Sequence, residues 1–176
     1  MLKGIIFDLD GTLIDSFYDW KIIRKKIGVD DLPILTHIHN LKEPLRKEAM
    51  KILESFEKRA TEKSSIHKGM RELLDYIDNK KIKKAIVTNN SRKNVDYLLD
   101  KWKLSFDVII TRDDGIWKPS GTPLLKACEK MKLTKDEVIY VGNSNPDRIA
   151  AQEADITFIS MEGKKGIKEI LSLLPQ

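Results

Sequence analysis

Two hydrophobic periods alternate along this chain. Short, nearly all-apolar runs occupy residues 4–9, 84–88, 107–110, 138–142 and 156–160. Each is too short for a helix and suits a strand buried on both faces of a parallel sheet. Between them, apolar residues recur at helical spacing. Met70, Leu73, Leu74 and Ile77 mark one inward face over 68–79, and Val95, Leu98, Leu99 and Trp102 another up to residue 102, with Ser91 as its cap. Thr122 and Pro123 read as the cap and first residue of a helix ending at Met131, and Asn145 and Pro146 as those of one ending at Ala154. Ile167, Ile170, Leu171 and Leu174 define a final helix over 164–174, and the Thr134 to Glu137 spacing fits a capping box.

One long segment has no strand period. Phe17, Trp20, Ile23 and Ile27 recur at helical spacing, and Gly28 closes that helix. Pro33 stands near the start of a short helix. The longest predicted helix, 43–63, carries Leu45, Ala49, Ile52, Leu53, Phe56 and Ala60 on one face. Strands alternating with helices predict an α/β fold, a doubly wound parallel sheet with right-handed crossovers. Residues 1–15 and 66–176 form this core domain, and 16–65 a small all-helical insertion after the first strand.

The chain has 176 residues, 41% hydrophobic and 34% charged, with a net charge of +5. That length fits one domain with a small insertion. Lysine and arginine are interleaved with acids and form no long basic tract, so the charge reads as a solvated surface and argues against nucleic acid as partner. Some attraction for anionic substrates follows. Cys128 is the only cysteine. It shares an apolar helical stripe with Leu124, Leu125 and Met131, and a single thiol suits a reducing, cytoplasmic location. No apolar run is long enough to span a membrane, and no signal peptide is expected. His37 and His39 lie two apart, which is off a shared helical face, and no third ligand accompanies them.

In open α/β sheets, ligands bind beyond the carboxyl ends of the strands. There the first run ends in Asp8 and Asp10, followed by Gly11 and Thr12. Strand periodicity puts both carboxylates on one side, where they are costly without a cation between them. Thr88, Asn89 and Asn90 follow the second run, and a hydroxyl with backbone N–H groups at a helix start suits a phosphate. Lys118 precedes the next helix, and GNSNPD at 142–147 follows the fourth run. Taken singly, these are a polar turn, an Asn-rich turn, a surface lysine and a first-turn acid.

Together, in this order, they resemble the four motifs of the haloacid dehalogenase superfamily. GIIFDLDGTLIDS at 4–16 is most similar to its phosphoglycolate-phosphatase-like branch. The resemblance implies a Mg²⁺-dependent phosphatase of a small phosphorylated metabolite, with Asp8 as nucleophile and Asp10 as general acid–base. It implies Thr88, Asn89 and Lys118 as phosphate ligands, and Asp8, Asp10, Asn143 and Asp147 around the metal. The helical insertion would be a cap that selects the substrate. One position departs: Asn143 stands where the family's phosphatases usually carry an acid. The alternative reading is therefore a catalytically weakened phosphate-binding or regulatory protein. Loss of the metal in favour of dehalogenation is disfavoured, because that branch lacks the second acid, here Asp10. The substrate itself and the oligomeric state are not written in these motifs.

Overall fold

The computed structural model describes residues 1–161 and 163–174. Its elements in chain order are β1 (Gly4–Phe7), β2 (Ile14–Asp15), α1 (Trp20–Ile27), α2 (Ile34–Asn40), α3 (Leu45–Lys63), β3 (Ser65–Ile66), α4 (Met70–Asn79), β4 (Lys83–Val87), α5 (Arg92–Trp102), β5 (Val108–Ile110), α6 (Thr122–Met131), β6 (Val138–Gly142), α7 (Asn145–Ala154), β7 (Thr157–Ser160) and α8 (Gly163–Leu173). Two 3₁₀ turns, Arg112–Asp114 and Lys135–Glu137, precede α6 and β6.

The chain divides into two compact units, residues 1–15 with Ser65 onward, and Ser16–Ser64. The first unit holds a five-stranded parallel sheet in the order β5-β4-β1-β6-β7. Alternate residues of each central strand face opposite ways, as strand geometry requires. Ile5, Phe7, Ile86, Ile139 and Val141 pack towards α4, α5 and α8. Ile6, Ala85, Val87 and Tyr140 pack towards α6 and α7. The sheet is thus apolar on both faces, which is why its strands read as continuous hydrophobic runs. In the second unit α1, α2 and α3 bury Ile23, Ile27, Leu35, Ile38, Ala49, Leu53 and Ala60.

Several expectations are corrected. Phe17 and Trp20 are 74% and 48% exposed; Asp19 caps α1 by accepting from the Ile22 N–H, so Phe17 precedes the helix it was assigned to. Leu45, Leu125 and Leu171 lie on outward positions of their helices, while Glu57 and Thr61 are buried in α3. The cap of α6 is Gly121, not Thr122, and that of α7 is Ser144, not Asn145, whose place is the first helical position. The short antiparallel pair β2–β3 was not foreseen. Two-residue strands carry no periodicity, and this pair is set by where the ends of the helical segment meet, Ile14 opposite Ile66 and Asp15 opposite Ser65.

Lys103 and Lys132 end α5 and α6 in the left-handed conformation, at φ 53° and 56°. Each backbone N–H donates to two carbonyls of the last turn. A side chain is disfavoured there and glycine is not. Lys103→Gly and Lys132→Gly should each raise stability by about 0.5–1 kcal/mol, the scale of relieving a left-handed residue. Urea denaturation checks this; unchanged or lower midpoints would contradict it.

Candidate active site

The expected residues from the ends of β1, β4 and β6, and from the loop before α6, converge at the carboxyl edge of the sheet. Asp8 continues β1 by one residue, its N–H donating to the Val141 carbonyl at 2.8 Å. Two positions beyond Ile6, it belongs to the α6 and α7 side. Lys118 reaches it there: Nζ donates to Asp8 Oδ1 at 2.6 Å, to Asp147 Oδ1 at 2.5 Å and to the Tyr140 hydroxyl oxygen at 2.9 Å. All four side chains are buried. An ammonium has three N–H donors, and each has an acceptor here.

Asp147 is the best-anchored member. Its Oδ1 also accepts the Tyr140 O–H at 2.6 Å. Its Oδ2 accepts the Ser144 hydroxyl at 2.6 Å, the Ser144 N–H at 2.9 Å and the Asn143 N–H at 3.2 Å. Ser144 Oγ in turn accepts the Asp147 N–H, completing a capping box. Gly142 makes room for this carboxylate, because a Cβ there would lie 2.7 Å from that of Asp147. Asp147 therefore caps α7 with one oxygen and holds Lys118 with the other. Five donors already occupy its two oxygens, so contact with a metal, directly or through a donating water, would require one of them to leave.

Asp10 was expected beside Asp8 on one strand face. Its charge does act on Asp8, helping to raise that carboxyl, although β1 itself ends at Phe7 and the Leu9 carbonyl accepts the N–H groups of Thr12, Leu13 and Ile14, turning the chain. Asp10 is held by the Asn90 side chain, Nδ2 to Oδ2 at 3.0 Å. The Lys118 ammonium bridges Asp8 and Asp147. Asn90 is oriented by donors to its Oδ1, the Ser91 N–H at 2.8 Å and Asn94 Nδ2 at 2.9 Å.

Thr88 is buried, and its hydroxyl oxygen accepts the Asn90 N–H at 3.1 Å, leaving its O–H to donate elsewhere. The Asn89 side chain makes two hydrogen bonds to the main chain of Lys118. Asn143 leans over the Asp8–Asp10 loop. Its Oδ1 accepts the Thr12 hydroxyl at 3.5 Å, and a Cβ on Gly11, whose φ is +80°, would come within 2.1 Å of its Nδ2. Among the described residues, no three His, Cys, Asp or Glu side chains gather into a metal cage, and His37 and His39 in α2 join no such group.

The charges explain the titration of the site. Burial, then the Asp147 charge, raise the Asp8 carboxyl to about 7, against the opposing pull of Lys118. Burial alone would lower Lys118 and raise Asp147; the ion pairs win, so Lys118 is raised by Asp8 and Asp147, and Asp147 is lowered by Lys118 and its other donors. Burial and the same two carboxylates push Tyr140 well above the ordinary phenol range. Two carboxylates sharing one ammonium leave one excess negative charge in a buried place, and the Asp8 proton responds to it.

Three residues of this network escaped sequence reasoning. Tyr140 was read only as part of a buried strand, although it is the one hydroxyl in an otherwise apolar run. Asn90 belongs to the turn that suits a phosphate, but its bond to Asp10, 80 residues away, leaves no local signal; Ser144 does leave one, the capping-box spacing to Asp147, which the neighbouring Asn145 and Pro146 obscure.

The comparisons with known proteins follow the same geometry. Residues 18–161 match the family described as haloacid dehalogenase-like hydrolase. A haloacid dehalogenase-like hydrolase domain-containing protein of Arabidopsis thaliana is 30% identical over 85% of this chain, which spans 66% of that relative's length. The phosphoglycolate phosphatase of Nitrosospira multiformis is 30% identical over 87% of this chain and 80% of its own. Among solved structures, a hydrolase from Pseudomonas syringae superposes with a TM-score of 0.76 at 22% identity, covering 96% of this chain and 90% of that one; it bears on the fold. With the parallel sheet, the motif loops at its carboxyl edge and these matches in hand, the chain belongs to the haloacid dehalogenase-like hydrolases.

Proposed function

We propose that this protein is a Mg²⁺-dependent phosphatase that hydrolyses a small phosphomonoester through an aspartyl-phosphate on Asp8. The observation that carries the reading is the buried Asp8 carboxylate at the end of β1, paired with Lys118 at 2.6 Å. Relatives named phosphoglycolate phosphatase support a phosphoryl substrate. An Asp8 oxygen attacks phosphorus as the bond to the leaving oxygen breaks, and protonated Asp10 gives that oxygen its proton. Water then attacks phosphorus and gives its proton to Asp10, which releases phosphate and restores the Asp8 carboxylate. The Thr88 O–H and the Asn89 backbone N–H hold phosphoryl oxygens, and Lys118 offsets their charge. By resemblance, the helical unit Ser16–Ser64 governs which substrate is accepted.

The donor set suits Mg²⁺, which takes hard oxygen ligands, keeps several waters and needs only one or two carboxylates. The Asp8 carboxylate and the Asp10 backbone carbonyl would supply such oxygens, leaving the Asp10 side chain for proton transfer, and the Asn143 amide oxygen accepts from Thr12 of the same loop. Asp8, Asp10 and Asn143 would hold the ion, with Asp147 behind them. When bound, it neutralises charge on the transferring phosphoryl group.

Asp8→Asn should abolish turnover of p-nitrophenyl phosphate, because an amide cannot form the acyl-phosphate. The same change should stabilise the metal-free protein. The folded-state value of about 7 lies above the ordinary 3.8, so folding takes up a proton between them. Stability from this group is full below about pH 4 and is lost as pH rises through 7. At pH 8 the variant should gain on the order of 1–4 kcal/mol, a range whose top is the full linkage value. The gain should fade towards pH 4. Thermal unfolding of both proteins across this range checks it, and an unchanged midpoint at pH 8 would contradict it. Asp10→Asn should slow turnover by roughly 10²–10⁴-fold.

Asn143 favours a second reading, a weakened enzyme that mainly binds phosphate. A neutral amide offers Mg²⁺ one less charge than a carboxylate, and even about 1.4 kcal/mol is tenfold in affinity. Asn143→Asp should lower the Mg²⁺ concentration for half-saturation at least about tenfold, read by calorimetry and by activity. Activity absent at saturating Mg²⁺ in both proteins would favour the second reading. Equal Mg²⁺ affinity would remove position 143 from the metal site.

A further inference from the structure

The Asn89 side chain has no chemical step in the scheme above, yet its geometry is specific. Its Oδ1 accepts the Lys118 N–H at 2.8 Å, and its Nδ2 donates to the Lys118 carbonyl at 2.8 Å. One primary amide thus engages both main-chain groups of one residue, a match of donor to acceptor that an acceptor-only carboxylate cannot make. Lys118 lies between the Arg112–Asp114 turn and α6, outside any strand or helix, so no ladder or helical turn fixes its backbone. Its other end must be placed closely. The side chain is 4% exposed, and Nζ has three acceptors within 2.9 Å.

Asn89 is itself anchored. Its carbonyl accepts from Arg112 Nη1 at 3.2 Å, and the preceding Thr88 N–H donates to the Ile110 carbonyl at 3.1 Å, extending the β4–β5 pairing by one residue. A continuous chain of bonds therefore runs from the sheet through Asn89 to Lys118, and from Lys118 to Asp8 and Asp147.

We infer that Asn89 is a positioning residue whose side-chain amide clamps the main chain of Lys118 and so sets its ammonium between Asp8 and Asp147. The inference rests on the reading of Asp8 and Lys118 as the phosphoryl-transfer centre. It gives Asn89 a task separate from any phosphate contact by its backbone N–H. The two are separable, because replacing the side chain leaves that N–H in place.

The test compares wild type, Asn89→Ala, Asn89→Asp and Lys118→Ala. Two quantities are read: kinetics with p-nitrophenyl phosphate and Mg²⁺, and the rate at which each lysine of the substrate-free protein is acylated by acetic anhydride, followed by peptide mass spectrometry. Asn89→Ala should lower kcat about 10–100-fold, the scale of a misplaced active-site group, while KM changes by less than about threefold. Lys118 should be acylated roughly tenfold faster, as expected for losing two hydrogen bonds, with the other lysines unchanged. Asn89→Asp keeps one of the two bonds and should move both readings the same way by less; it decides the matter if the alanine variant does not fold. Unchanged Lys118 acylation in the folded variants would overturn the inference, as would a raised KM at constant kcat. Wild-type turnover by Lys118→Ala would instead refute the reading of the site itself.

Discussion

The structure depends on one buried ammonium. Lys118 Nζ bridges Asp8 and Asp147 with contacts of 2.6 and 2.5 Å, in a place that water scarcely reaches. A buried pair of charges stabilises a protein only when its geometry is good and its remaining donors and acceptors are used. Here the third Lys118 donor goes to Tyr140, and Asp147 accepts from Tyr140, Ser144 and Asn143 besides Lys118. The arithmetic still leaves one negative charge uncompensated, and it falls on Asp8, the carboxylate with fewer donors. That imbalance is what the proposed chemistry needs, a carboxylate that attracts a cation and an electrophilic phosphorus.

The surrounding fold is arranged to hold these groups still. β1, β4 and β6 are neighbours at the centre of the sheet, so the loops that follow them meet at one edge. Each loop has its own lock. The Leu9 carbonyl closes the turn after Asp8, the Asn90 side chain ties the β4 loop to Asp10, and the Ser144 capping box fixes the loop after β6. Asn89 then ties the β4 loop to the main chain of Lys118. Side chains supported this way need little reorganisation as charge develops.

Much of this was legible in the sequence, and the limits have physical causes. The parallel sheet was readable because strands buried on both faces must be apolar throughout, as in GIIF and VIYVG. The helices of the core were readable from Met70, Leu73, Leu74 and Ile77, all buried as expected. Cys128 was readable as a core residue; burial also pushes its thiol up to about 11. The partners of Lys118 were not readable from spacing, because a lysine before a helix has no periodicity and its acceptors lie 22, 29 and 110 residues away. The turn after β1 was not readable from periodicity, because the ladder ends at Phe7 and the Leu9 carbonyl closes the next residues on themselves. Helix caps slipped by one residue at Ser144 and Gly121, because a Pro in the first turn is tolerated at more than one position; at α7 the Ser144 side chain then decides, whereas at α6 no side chain caps the helix.

The central claim is that the Asp8 carboxylate takes the phosphoryl group. Stopping turnover of p-nitrophenyl phosphate with borohydride, then digesting the protein and mapping its peptides by mass spectrometry, tests it most directly. An acyl-phosphate on Asp8 is reduced to an alcohol, so the account predicts homoserine at position 8 in the working enzyme and not in samples lacking substrate. Steady turnover with Asp8 unmodified, or reduction at another carboxylate, would contradict it.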